Sequence, residues 1–401
     1  MRLGALLPFE QVPALLTFLT GVHVTADTVR RLTERAGAAQ VAIETRELER
    51  LERELPAVPR GPARQEVSAD GAMIPLVGGQ WAEVRTLALG ILDPLPETTE
   101  PGEEDERVHA HAIQYFSRLC CAHDFIRQAA VPLYRRGVAG AEVVVAVTDG
   151  ADWIQDFIDA HCRDAVRIID FPHAAGYVAD AAKAAFGPGT REAAIWLATW
   201  LHELKHGTLT AVLGAIRALS MPSPEAEEVR ETVLGYLTKR RTQLAYAAFR
   251  QQGYPIGSGM VESANKLVVE ARLKGSGMHW HRDNVTPMLA LRGLLCSGTW
   301  EDAWPEIWTA LRRQTATERR CRRATRAAQR AAARAATPSA ILDAPPPSPP
   351  EEPRMAAPPS DNDTQAENPR RPPADHPWYA PYDPRRAERA KARAAQADAK
   401  L

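Results

Sequence analysis

The sequence predicts an α/β protein with a mixed sheet, interrupted by a purely helical stretch. Three observations carry this. The run AEVVVAVTDG, residues 141–150, is a short β-branched strand followed at once by the helical ADWIQDFIDAHC, and AVRIIDFPHAAGYVADAAKAAF repeats the strand-then-helix plan; strands alternating with helices belong to layered α/β sheets. QEVSADGAMIPLVGGQWAEVRTLALGIL reads as two strands joined at Gly78-Gly79, a hairpin signal. Residues 190–250 show helical patterning and no strand signal.

Taken in order, residues 9–36 carry a helical period broken near Gly21, with Thr25 as the N-cap of a second helix bearing Arg30, Arg31 and Arg35. This pattern fits a helix-turn-helix and equally an ordinary helical hairpin. After the hairpin, the acid-rich DPLPETTEPGEEDE is expected to be a loop and residues 108–136 a helix. Ser223 and Pro224 mark a helix start inside the helical stretch. Two further helices follow, DNVTPMLALRGLLCSGTW and EDAWPEIWTALRRQ. Arg and Lys crowd the region from Arg312 to Arg334, and beyond about residue 335 the Pro- and Ala-rich composition cannot bury a core, so a disordered tail is expected. The expected organisation is 1–60 helical and DNA-binding, 61–185 catalytic core, 186–252 helical insertion, 253–315 the last core helices and 316–401 tail.

The chain has 401 residues and a formal net charge of -1, so it is no uniformly basic nucleic-acid binder, although its charge is locally concentrated. Cys120, Cys121, Cys162, Cys296 and Cys321 form no CxxC pair and read as free thiols of a reducing cytoplasm. Glu10 and two prolines interrupt the apolar N-terminus, which predicts neither a signal peptide nor a membrane span.

Three carboxylates stand where α/β sheets do chemistry. Asp149 ends the strand in VVVAVTDG, Asp70 lies in the first strand in VSADGAMIPL, and both precede a glycine that would allow a sharp turn. Glu262 begins a helix behind a Gly-Ser-Gly turn, where a catalytic acid and an acid favouring the helix dipole look alike. Three acids from separate elements could hold two Mg²⁺ or Mn²⁺ ions, as in phosphodiester displacement. Lys266, Arg272 and Lys274 would border the site with positive charge for a DNA backbone. Trp280, between His279 and His281, could stack on a base, whereas Trp300, Trp304 and Trp308 read as core.

Together VSADGAMIPL…WAEVRTLALG, VTDGADWI, IIDFPHAAGYV, YPIGSGMVESANKLVVEARLKGSGMHW and LRGLLCSGTWEDAW resemble a bacterial insertion-sequence transposase of the ISKra type, in the Mutator-like group, over residues 5–310. The resemblance implies an RNase H-like fold whose DDE triad is Asp70, Asp149 and Glu262, with residues 185–250 as an insertion. Asp170 and His173 match that group's Cys/Asp-x-x-His motif. Asp170 ends a strand too and rivals Asp149 as second acid, or else simply caps the helix it precedes. The resemblance leads one to expect further sequence ahead of Met1 and offers no counterpart for the Pro-rich tail. It implies DNA ends and target as partners, a homo-oligomer pairing the ends, and a nucleoid-associated cytoplasmic location. Two other classes compete. One is a transposase-derived protein that binds DNA without catalysis. The other is a zinc metalloprotease through His202-Glu203-Leu204-Lys205-His206, an H-E-x-x-H without a recognisable third ligand.

Overall fold

The computed structural model describes residues 1–93, 108 and 110–336. The expected acidic loop, apart from Asp93, and the tail beyond 336 lie outside the described residues. Five strands form one mixed sheet: β1 (Arg64–Pro75), β2 (Trp81–Ile91), β3 (His111–Arg118), β4 (Val143–Thr148) and β5 (Val166–Ile169). Their order is β3-β2-β1-β4-β5. β1, β2 and β3 are antiparallel neighbours, and β1, β4 and β5 run parallel. The hairpin turn between β1 and β2 uses Gly78 at φ 88° and Gly79 at φ 76°, left-handed values that a side chain would resist.

β3 corrects the sequence reading, which placed a helix across 108–136. HAIQYFSR pairs with β2 through Arg85↔Arg118 to Leu89↔Gln114, and the helix starts only at α4 (Ala122–Arg136). Ile113, Tyr115 and Phe116 favour a pleated surface, and an open edge of β2 was available to pair with them.

One face of the sheet is covered by α4 and α5 (Asp152–His161), where Val67, Ala69, Leu87 and Ala146 meet Phe125, Ala129, Ile154 and Phe157. The opposite face is shared. Over β4 and β5 lie α6 (Phe171–Phe186) and the helical stretch α7 (Arg191–His206), α8 (Leu209–Ala218), α9 (Pro224–Lys239) and α10 (Tyr246–Gln251). Val145, Val147, Ile168 and Ile169 form a continuous core there with Val178, Leu204, Ile216, Leu237 and Tyr246. Each such buried aliphatic contributes about 1.5–3 kcal/mol, so this stretch folds on the sheet rather than beside it. Ser223 caps α9 by accepting from Ala226 N–H, with Pro224 in its first turn, as its sequence indicates.

Over the β1–β3 part of that face run a helix from Gly259 to Leu273 and α13 (Arg282–Cys296). The first comprises α11 (Gly259–Ala264), a π-helical turn (Asn265–Glu270) and α12 (Ala271–Leu273). The N-terminal helices α1 (Arg2–Leu6), α2 (Val12–Thr20) and α3 (Ala26–Glu54) pack here as well. Ala5, Ala36 and Ile43 share a core with Ile74, Val84, Val268, Leu289 and Trp300. Gly37 lies so close to Pro287 that a Cβ would sit 2.2 Å from its carbonyl oxygen. Residues 1–54 are thus built into the body.

The final helix, α14, runs from Trp300 to Ala336. This corrects the expectation of a tail from residue 316, because Ala and Arg are strong helix formers that simply continue the packed helix. Among the described residues no helix is long and apolar enough to cross a membrane.

Candidate active site

Asp70 and Asp149 lie just past the paired part of the parallel strands, and the charges of Asp149 and Glu262 both act on Asp70. Paired residues in β1 and β4 end at Val67↔Ala146. Asp70 and Asp149 each come three residues after that last pair. Beyond the last pair the strands part, and Ser68 Oγ donates to Val147 O at 2.6 Å in place of a ladder bond. The parting lies where the chain order reverses between β1 and β4, the position at which open α/β sheets form their ligand crevice. β5 adds Asp170, one residue beyond Thr148↔Ile169, with its N–H donating to Thr148 O at 2.7 Å.

Asp70 is half-buried and points to the face covered by the Gly259–Leu273 helix. Asn265 Nδ2 donates to its Oδ2 at 2.8 Å, and Gly71 N–H to its Oδ1 at 2.7 Å. Burial raises its pKa above the usual carboxylate range, the charges of Asp149 and Glu262 push it further up, and the Gly71 and Asn265 hydrogen bonds oppose the shift. Gly71 itself makes no turn, contrary to expectation; it continues in β1 opposite Arg85.

Asp149 is held from three sides. Its Oδ1 accepts from Ala151 N–H at 2.8 Å, and its carbonyl accepts from Tyr236 Oη at 2.8 Å. Arg240 donates to the next carbonyl, that of Gly150. Gly150 does turn, at φ 80°, and a Cβ there would meet Ile169 Cδ1 at 2.6 Å and Arg240 Nε at 2.7 Å. Tyr236 stacks on Tyr177 at 3.8 Å between ring centroids, with His173 edge-on to both. The helical stretch thereby braces the second acid through α9.

Glu262 is exposed in the first turn of α11. Ser258 Oγ lies 3.5 Å from its Oε1. Directly after it the helix widens into the π turn. Arg292 on α13 supplies the cause, donating to Leu267 O and, at 3.3 Å, to Val268 O. A donor inserted into the ladder releases helical carbonyls, and such π turns recur at functional sites. The widening follows the turn that presents Glu262 and contains Asn265, which contacts Asp70.

Asp170 is 5% exposed and fully engaged. Its Oδ1 accepts from Ser258 N–H at 2.7 Å and its Oδ2 from His173 N–H at 3.2 Å. It caps α6 and ties the Gly-Ser-Gly turn to the sheet. Burial raises its pKa; the bonds from Ser258 and His173 oppose the shift, and the Glu262 charge adds to it.

As ligands for divalent ions, Asp70, Asp149 and Glu262 fit in kind. They are hard oxygen donors, and the charges of Asp149 and Glu262 act on Asp70 in a way that a cation would offset. Among the described residues no group of three or more His, Cys, Asp or Glu side chains is gathered tightly enough to be a ready-made ion cage, and Glu262 is exposed.

The expected DNA-facing residues divide. Lys266 is exposed, and Lys274 is exposed with Nζ 2.7 Å from Glu270 Oε1. Arg272 is a correction. It is 2% exposed, donates to Gly4 O, and lies over the rings of Phe9 and Trp280. Burial, with the Arg292 charge adding, pushes its pKa down to about 10. It packs α12 onto α1 and cannot reach a phosphate. Trp280 is likewise buried, bridged to Leu76 beside β1 and edge-on to Phe9, so it offers no face to a base. Arg30 bonds Asp27 and Glu34, and Arg31 pairs with Asp27, so α3 presents partly neutralised arginines.

The H-E-x-x-H residues share the last turns of α7. The His202 and His206 rings stack at 4.6 Å. Arg250 Nη1 lies 3.0 Å from His206 Nδ1, and Glu203 Oε1 accepts from Thr208 N–H at 2.9 Å. The glutamate is thus occupied in ending its own helix, which stops at Gly207.

Asn265, Ser258, Tyr236 and Arg240 escape the sequence reading. Asn265 and Ser258 flank Glu262 at helical spacing, a retrievable signal. Tyr236 reaches Asp149 and Arg240 reaches Gly150 across 87 and 90 residues, which no local pattern encodes. Among known proteins, no family model matches the chain, and no curated protein matches it.

Proposed function

We propose that the protein is a DDE-type DNA transposase with an RNase H-like core, cleaving and joining insertion-sequence ends with divalent ions. One observation supports the reading: Asp70 and Asp149 each lie three residues beyond the last β1–β4 pair, and the charges of Asp149 and of Glu262, on the helix over that face, both act on Asp70. The strand order and the mixed antiparallel and parallel pairing agree with that core.

In this reading Asp70, Asp149 and Glu262 hold two Mg²⁺ or Mn²⁺ ions, which would supply charge stabilisation for phosphodiester displacement. Asn265 holds the Asp70 carboxylate in register with the crevice. Tyr236 and Arg240 fix the backbone on either side of Gly150 and so aim Asp149. Asp170 positions the turn that presents Glu262. Water, and then a DNA 3′-hydroxyl, serves as nucleophile, without a covalent enzyme intermediate. Lys266 lies beside the site as a phosphate contact. The partners in this proposal are DNA ends and target, paired by a homo-oligomer at the nucleoid.

The test separates the two rival aspartates. Asp149→Asn abolishes metal-dependent nicking of end DNA and leaves binding intact. Asp170→Asn lowers the melting temperature but keeps nicking within a few-fold, because Asn caps helices nearly as well as Asp. The opposite outcome transfers the role to Asp170. Wild-type binding without any nicking leaves a DNA-binding protein only.

A further inference from the structure

Among the described residues the end of the last helix is an exposed, arginine-rich rod. The N-terminal part of that helix packs through Trp300, Ile307 and Leu311. Among the described residues the last side-chain tie to the body is Arg35, whose Nη2 lies 3.3 Å from Glu318 Oε1. From Arg319 to Ala333 every residue is exposed. From Arg312 to Ala333 the helix carries Arg312, Arg313, Arg319, Arg320, Arg322, Arg323, Arg326 and Arg330, and Glu318, already paired, is the one acid there.

The placement of the arginines is not uniform. At about 100° per residue, Arg312, Arg319, Arg323, Arg326 and Arg330 lie within roughly 40° of one line along the helix. Arg313, Arg320 and Arg322 flank that line. The opposite side is Gln314, Thr317, Cys321, Thr325, Ala328 and Ala332, with no charge and no large apolar group. A membrane-surface helix needs large apolar residues on that side, and a core-facing helix needs an apolar stripe; this rod has neither. Like charges three or four residues apart weaken a helix, so the stripe carries a repulsion that a polyanion would relieve. The 22 residues from Arg312 to Ala333 extend about 33 Å at 1.5 Å per residue. A DNA duplex offers one phosphate charge per about 1.7 Å of axis over that length.

We propose that the segment Arg312–Ala333 is a docking arm for duplex DNA that grips the phosphate backbone by charge, independently of sequence and of the carboxylate site. Its charge complements the duplex over about one helical turn, and its neutral side leaves nothing to compete for a protein core or a bilayer.

The test uses the full chain and a fluorescent random-sequence 30-base-pair duplex in EDTA, so that no strand is cut. Binding is followed by anisotropy across a salt series. Replacing Arg319, Arg323, Arg326 and Arg330 together by Gln, a comparable helix former, should weaken binding at least tenfold at about 0.1 M salt. The slope of log K against log salt should fall by about 3–4, since each phosphate that a side chain neutralises adds about 0.9 to it. The melting temperature should stay unchanged, since these side chains are exposed. Thr325→Gln with Ala328→Gln, on the neutral side, should bind as wild type. Unchanged affinity and slope in the fourfold variant would overturn the proposal. So would a variant that keeps duplex DNA but loses single-stranded RNA or anionic vesicles. Glu262→Gln should bind with the wild-type slope, so failure of the arm and failure of the catalytic reading give different results.

Discussion

Glu66 lies two strand positions below Ser68 and four below Asp70, on the same face of β1, and is 2% exposed with Oε1 lacking a hydrogen-bond partner. Burial raises its pKa from 4.5 to about 8. The folded protein therefore keeps the proton between those values, whereas the unfolded chain releases it. Stability from this group is complete below about pH 4.5 and is lost as pH rises through about 8. The loss amounts to about 1.4 kcal/mol per pH unit within the window, and at most ~5 kcal/mol across it. Glu66→Gln keeps the shape and has no proton to lose. Urea unfolding of both proteins at pH 5.5, 6.5 and 7.5 isolates the effect, since every other titrating group cancels in the difference. The variant should gain on the wild type by about 2–3 kcal/mol between the first pH and the last. Parallel stability curves would refute a neutral buried acid beneath the site.

Two further predictions bear on the surroundings of the site. Gly150→Ala should destabilise by roughly 2–5 kcal/mol, combining a left-handed backbone with a Cβ driven into Ile169 and Arg240, and should lower nicking more than DNA binding; chemical denaturation with activity measurement checks both, and a stability loss under 1 kcal/mol would contradict the packing described. Purified protein should hold no stoichiometric zinc, and His202→Ala with His206→Ala should leave metal content unchanged; elemental analysis finding one zinc per chain, lost in the double variant, would revive the protease reading.

Much of the site is local and therefore legible. The β-branched run before Asp149 reports a buried strand, and Gly150 reports the turn after it. Thr25, Ser223 and Asp170 announce helix starts because capping chemistry is contained within four residues. Most of the misses share a cause, which is that a partner distant in sequence decides the outcome. HAIQYFSR becomes a strand because β2 offers an edge. Arg272 and Trp280 read as a DNA-facing border, yet α1 and Phe9 fold back from the N-terminus to bury them. The π turn depends on Arg292, reaching in from the next helix. The run from residue 316 is a different kind of miss: it reads as tail, but local helix propensity continues the packed helix through it.

The central claim is that Glu262 acts with Asp70 and Asp149 on a metal rather than favouring a helix N-terminus. A Gln at a helix start costs at most about 1 kcal/mol through the lost dipole interaction. Removing a ligand of the reacting metal costs several kcal/mol in the transition state. The deciding measurement is the rate of Mg²⁺-dependent cleavage of insertion-sequence end DNA by Glu262→Gln, read beside its melting temperature. If Glu262 ligates the metal, cleavage falls by orders of magnitude in a protein that melts at or above the wild-type temperature without metal. Cleavage near the wild-type rate would contradict it.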